Sequence, residues 1–83
     1  MLINYTLNPQ EYNGKFYDQS HGGPFDRGAA DSYYNRGAKP HYYPEGTYNG
    51  EIVTEERMTA EEIQAYYAGY DYNEQYGDKK QWY

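Results

Sequence analysis

Hydrophobic and polar positions keep a sustained helical period in one stretch of the chain, residues 59–76. Ile63, Tyr66, Tyr67 and Tyr70 repeat at i, i+3, i+4 and i+7 and so share one helix face. The start of this helix is written in its own chemistry. Thr59-Ala60-Glu61-Glu62 has the form of a capping box, in which the threonine hydroxyl caps the first turn and the glutamate at N3 reaches back. Met58 and Ile63 stand at the spacing of a hydrophobic staple. Gly77 closes the run, with Lys79 and Lys80 beyond it where positive charge suits the helix dipole. A second helix is expected over about 24–36. Pro24 fits its first turn, Asp26 and Arg36 complement the two ends of the dipole, and Gly37 with Pro40 ends it. Phe25, Ala29, Ser32 and Tyr33 would line its face. Gly28 in its interior costs about 1 kcal/mol relative to Ala, and a closely approaching backbone would be a reason to keep it.

The remaining positions show no lasting period. Residues 1–23 read as a flexible arm rich in Tyr and Asn, although Ile3, Tyr5 and Leu7 alternate as a short edge strand would. Between the helices, His41-Tyr42-Tyr43 sits between Pro40 and Pro44 and should be extended. Asn49-Gly50 is a hairpin dipeptide, so residues 47–54 form either a short β-hairpin or an extended loop laid over the helices. The expected fold class is therefore mainly α: a helical hairpin within residues 24–83, a long Pro/Gly/Tyr-rich connection and an N-terminal arm. Gly28, Ala29 and Ser32 would meet Ala65, Ala68 and Gly69 at the helix contact.

Composition changes this picture in two ways. Leu, Ile and Val total only six in 83 residues, whereas there are 14 tyrosines. The core must then be tyrosine, alanine and glycine, and a chain this short buries only about 60–65% of its unfolded surface. The net charge of −6 is uneven: residues 1–50 carry five acids and four bases, residues 51–83 eight acids and three bases. Such a field works against direct DNA binding and against anionic lipid. The absence of cysteine in so small a chain favours a reducing compartment, here the cytoplasm (the host cytoplasm for a phage-encoded chain). No apolar stretch could cross a membrane and no secretory signal is visible.

Little in the chain points to catalysis or to metal. His21 and His41 lack partners at ligand spacing. Ser20-His21 falls in the expected arm, Ser32 reads as a packing residue, and Glu61-Glu62 is explained by helix capping. Asp26 opposes phosphate at the Gly22-Gly23-Pro24 helix start. The expectation is a non-enzymatic protein without cofactor or metal. Tyrosine carries the remaining signal. Adjacent helical residues diverge by about 100°, so Tyr33-Tyr34 and Tyr66-Tyr67 should each leave one ring outward, as should Tyr42-Tyr43 in an extended segment. Exposed tyrosines give a large contact at low entropy cost. The candidate partner-binding residues are Tyr42, Tyr43, Tyr48, Tyr66, Tyr70, Tyr72 and Tyr76, with Glu55, Glu56 and Glu61.

The run Phe25-Asp26-Arg27-Gly28-Ala29-Ala30-Asp31-Ser32-Tyr33-Tyr34, then Pro40 through Thr47, then Met58 through Tyr70, resembles small uncharacterised open reading frames of bacteriophages and bacteria. The layout is also similar to ribosome modulation factor, a two-helix protein that binds the ribosome and promotes its hibernation. Arg27-Gly28, Ala30, Arg36-Gly37 and Pro40-His41-Tyr42 resemble its first helix and exit, and Tyr67-Ala68-Gly69-Tyr70 a step in its second. That family is strongly basic and this chain is acidic. The first resemblance carries no known activity and bears on origin; joined to the acidic residues 51–78 and the tyrosines, it gives the first reading, a phage-type accessory factor that docks on a host or phage protein with a basic surface. The second implies a ribosome-associated factor with Arg27, Arg36, Lys39 and His41 on RNA. A self-assembling or virion-associated component, with the chain as homo-oligomer, is the third reading.

Overall fold

The structure, a computed structural model, describes residues 10–46, 50–77 and 79. Met1–Leu7, Tyr48 and the C-terminal Gln81-Trp82-Tyr83 lie outside the described residues.

The fold is a small mixed α/β unit and not the mainly α hairpin that periodicity suggests. Two helices, α1 (Pro24–Tyr33) and α2 (Ala60–Tyr76), are covered by two small antiparallel sheets. The first sheet pairs β1 (Gln10–Tyr12) with β2 (Lys15–Tyr17). The second pairs β3 (His41–Tyr42) with β4 (Val53–Thr54). A 3₁₀ turn at Glu55–Arg57 leads from β4 to α2.

Residues 10–17 thus correct the expectation of a flexible arm. Asn13 and Gly14 both take positive φ, 53° and 80°, in a two-residue loop closed by the Tyr12–Lys15 pair. This is the backbone of a type I′ hairpin turn, whose twist matches that of the strands it joins. Tyr12 and Tyr17 then face inward while Glu11 and Phe16 face solvent. Beneath the hairpin, Tyr17 stacks on Phe25 at 5.4 Å between ring centres, and Tyr72 meets Tyr12 edge-on at 5.9 Å. Ala65 and Ala68 complete this cluster.

Residues 47–49 of the 47–54 alternatives lie outside the described residues; within that stretch Val53-Thr54 pairs with His41-Tyr42. One face of this ladder gives Val53 and Tyr42 to a cluster with Met58, Ile63 and Tyr66. The other face carries His41, Tyr43, Ile52 and Thr54 outward.

α1 and α2 cross between the two clusters at a glycine pair. A Cβ on Gly28 would lie 1.9 Å from the Tyr66 carbonyl oxygen, and one on Gly69 would lie 2.0 Å from that of Phe25. Only glycine admits this approach, which is the reason Gly28 persists in a helix interior. The buried stripe of α1 is Phe25, Arg27, Gly28, Asp31 and Ser32, so two charged side chains stand where Ala29 and Tyr33 were expected. α1 also ends earlier than the Gly37 signal implies. Asn35 takes the left-handed conformation (φ 59°), its N–H bonds the Ser32 carbonyl, and the Arg36 N–H bonds that of Asp31. This is a Schellman closure with asparagine at the left-handed position. α2 starts as its sequence indicates, with Thr59 and Glu62 making both bonds of the capping box.

Candidate functional site

The Schellman closure turns residues 36–40 away from α1 and across the α2 face, where one tyrosine receives them. Tyr66 is fully buried (0% exposed). Its hydroxyl donates to Asp31 Oδ2 and accepts from the Lys39 N–H at 2.8 Å. Burial first, and then the bond to Asp31, hold its hydroxyl far above the usual tyrosine range. Asp31, 3% exposed, places its other oxygen 2.8 Å from Arg36 Nε. The buried carboxylate is thereby met by a cation and by a phenol, as a charge in a low-dielectric interior requires.

His41 continues the network. Its Nδ1–H donates to the Lys39 carbonyl at 2.8 Å, and Nε2 accepts from Arg27 Nε at 3.4 Å. Arg27, 6% exposed, lies with its guanidinium 5.7 Å from the Tyr43 ring centre. The Tyr43 N–H bonds the Gly22 carbonyl at 2.7 Å, tying the end of β3 to the loop before α1.

Above this network lies an open groove of about 740 Å³. His41, Tyr43 and Ile52 form its floor, and the cations of Arg36 and Lys39 and the carboxylates of Glu55 and Glu56 also line it. The Glu56 carboxyl is held below its ordinary range, chiefly by its own backbone N–H, then by Thr54, with Arg57 and Lys39 contributing charge. The groove therefore offers opposite charges along one cleft, set on supports that are hydrogen-bonded from beneath.

The candidate residues named from sequence do not form one patch. Tyr43, Glu55 and Glu56 line the groove, but Tyr66 lies inside the protein and can touch no partner; its contribution is to hold the groove floor. Tyr42 faces the core, and its hydroxyl donates to Glu62 at 2.9 Å; that bond first, and burial second, raise its titration above the ordinary value. Tyr70 is half-buried and reaches the Arg36 carbonyl at 3.3 Å. Tyr72 and Tyr76 lie at the other end of α2, 5.1 Å apart between ring centres, beside the β1–β2 turn. Tyr76 is 68% exposed. Glu61 is exposed in the first turn of α2. Tyr67 is exposed while Tyr66 is not, as divergent rings in a helix demand, but Tyr33 and Tyr34 both face solvent.

The four residues named as RNA contacts, Arg27, Arg36, Lys39 and His41, do converge on this groove. Two of them are consumed from within: Arg27 is buried, and both ring nitrogens of His41 are engaged. Asp31 and Ile52 are the site residues that sequence reasoning missed. Asp31 could have been read from its spacing, one helical turn after Arg27 and five residues before Arg36; Ile52 had no local signal. Among the described residues, no group of three or more His, Cys, Asp or Glu side chains could hold a metal ion, and no helix is long and apolar enough to cross a membrane.

Comparisons with protein-family models, with curated proteins and with solved structures return no match. The two resemblances drawn above rest on the chain's own residues alone.

Proposed function

We propose that this chain is a non-enzymatic binding module that docks on a protein partner through the groove, with the acidic residues beside it turned toward a basic part of that partner. The observation that carries this reading is the convergence of Arg36 and Lys39, Glu55 and Glu56, and the His41–Tyr43–Ile52 floor over one fully bonded polar network. A preorganised surface loses little freedom on binding, which favours affinity for a chain of this size. The engagement of both His41 nitrogens favours binding over proton transfer, since no lone pair there is left for a substrate. The exposed carboxylates Glu51, Glu55, Glu56 and Glu61 suit a cationic partner and would speed its approach at low salt.

The resemblance to phage and bacterial reading frames makes a bacterial lysate the material for the test. Immobilised wild-type chain is compared with Tyr43→Ala, Lys39→Glu and Glu56→Lys on one side, and with Phe16→Ala and Tyr76→Ala on the other. The expected result is a defined protein retained by the wild type and by the second pair, and released by the groove variants. Retention that depends on Phe16 or Tyr76 and ignores the groove would overturn the reading.

The convergence of Arg27, Arg36, Lys39 and His41 favours a second reading, a ribosome-associated factor. Against it, only Arg36 and Lys39 present charge outward, with two glutamates lining the same groove. Two phosphate contacts give a salt dependence of slope only about −1.4 on single-stranded RNA. Co-sedimentation with ribosomes that persists at moderate salt would favour this second reading over the first.

A further inference from the structure

We propose that the basic half of the groove is a subsite for a single phosphate-monoester group carried on a flat ring, the chemistry shared by a nucleoside monophosphate and an aryl phosphate. The inference rests on the groove being the recognition site and names what that site accepts.

The anion side is built from one short segment. Arg36 is oriented from two directions, by Asp31 at Nε and by the Tyr34 ring 4.9 Å from its guanidinium carbon. Its two terminal nitrogens bond no described residue. A guanidinium fork fixed at Nε presents its outer N–H pair as a unit, the geometry that favours bidentate contact with a phosphate or carboxylate. Three residues on, the Lys39 ammonium makes no hydrogen bond or ion pair with a described residue. Its backbone is anchored, because its own N–H is held by Tyr66, and its charge reaches Glu56. Between them, the amides of Gly37 and Ala38 also bond no described residue. Two cations, and two exposed amides that bond no described residue, thus lie on four consecutive residues lining one cleft.

The rest of the groove limits what can follow the anion. Glu55 and Glu56 line the same groove, and the Lys39 charge is felt at Glu56, so a second phosphate or a nucleic-acid backbone would meet like charge. His41 and Tyr43 lie edge to face with ring centres 5.8 Å apart, an aromatic floor suited to a planar group. The volume of about 740 Å³ is that of a site for a small organic ligand. In an acidic chain, this is also where three of the seven Lys and Arg residues gather.

The test is an NMR titration of the full ¹⁵N-labelled chain with inorganic phosphate, phenyl phosphate, adenosine monophosphate and adenosine. One or both phosphate esters should shift the amides of Gly37, Ala38, His41 and Tyr43, with a dissociation constant of about 1 mM or tighter. Inorganic phosphate should bind about tenfold more weakly than the preferred ester, and adenosine should leave these amides unmoved. The ester that binds better identifies the source. Lys39→Ala, at an exposed side chain, should weaken ester binding about three- to tenfold with the spectrum otherwise intact. Arg36→Lys, which keeps the charge and loses the fork, should weaken it comparably. The subsite is overturned if neither ester moves these amides, if inorganic phosphate binds as tightly as the esters, or if both variants bind as the wild type does. Should that happen while Tyr43→Ala still releases the captured protein, the docking reading stands and the phosphate subsite alone falls.

Discussion

Replacing Gly28 with alanine tests the closest contact in the fold. The new Cβ would stand 1.9 Å from the Tyr66 carbonyl oxygen, 2.9 Å from the Tyr66 carbonyl carbon and 2.9 Å from the Tyr70 nitrogen, all of them backbone atoms that cannot rotate away. Ordinary carbon–oxygen contacts lie at about 3.3–3.6 Å, so α1 and α2 would have to part by about 1.4 Å. A gap of about 1 Å forfeits up to half of the dispersion energy of each contact across it. Phe25, Ser32, Tyr66 and Ala68 all sit at or beside this crossing. Overpacking of this kind costs about 3 kcal/mol or more when backbone must move. Better helix propensity returns about 1 kcal/mol. The net loss is about 2–3 kcal/mol, against a total stability of about 4–12 kcal/mol for a chain of this length. In urea the unfolding midpoint, followed by circular dichroism, should fall by about 2 M for a slope near 1 kcal/mol/M. Gly37→Ala serves as the control: nothing lies within 4 Å of its Cβ, and its φ is not left-handed. That change should be neutral or stabilising by about 0.4–1 kcal/mol. A Gly28→Ala chain as stable as the wild type, or more so, would mean that propensity outweighs packing and that the helices are not in backbone contact.

Three further outcomes follow from the packing. Tyr17→Ala removes a buried ring stacked on Phe25 and should destabilise the chain by about 3–4 kcal/mol in the same urea assay; a loss below about 0.5 kcal/mol would mean the hairpin is not seated on the helices. Thr59→Ala removes one bond of the capping box and should lower stability by about 1 kcal/mol. Tyr66→Phe should cost about 2 kcal/mol, since buried Asp31 and the Lys39 N–H each lose a partner, and it should also change the alkaline limb of stability. The folded hydroxyl of Tyr66 titrates above the unfolded value of 10.0, so its stabilising contribution is complete below pH 10 and is lost as pH rises toward the folded value. The wild type should therefore lose stability above pH 10 more steeply than Tyr66→Phe, by up to about 1.4 kcal/mol per pH unit. Parallel curves would contradict the burial of this phenol.

What the sequence disclosed depended on how local each signal is. The capping box at Thr59 and Glu62, the tyrosine-based core and the close approach at Gly28 are written in residues near one another or in a single conspicuous glycine, and these could be read directly. Asn13-Gly14 carries the same hairpin dipeptide as Asn49-Gly50, yet its strands are only three residues long and show no alternation that stands out from the polar residues around them. Pairing of His41-Tyr42 with Val53-Thr54 spans a connection that includes two glycines and a proline, so no short window contains both partners. Tyr66 is the instructive case among the site residues. It belongs to a doublet whose rings must diverge, but which ring goes inward is decided by Asp31, itself buried on the other helix. The same long-range choice separates Tyr43 from Tyr72 and Tyr76, which the sequence placed in one surface and the fold sends to different ends of the molecule. The groove was partly visible, because Arg36 and Lys39 were marked by charge and Glu55 and Glu56 by acidity, but nothing along the chain shows that the two pairs line one groove.

The claim that the Arg36–Lys39 and Glu55–Glu56 cleft is where a partner sits is tested most directly by site-specific photo-cross-linking. A benzophenone side chain is placed at Ile52, on the floor of the groove, or at Tyr76, at the far end of α2, and each chain is irradiated in bacterial lysate. The account predicts a discrete cross-linked protein from position 52 that disappears when Lys39→Glu is added, and no such product from position 76. A product from position 76 alone, or one from position 52 that is indifferent to Lys39, would contradict it.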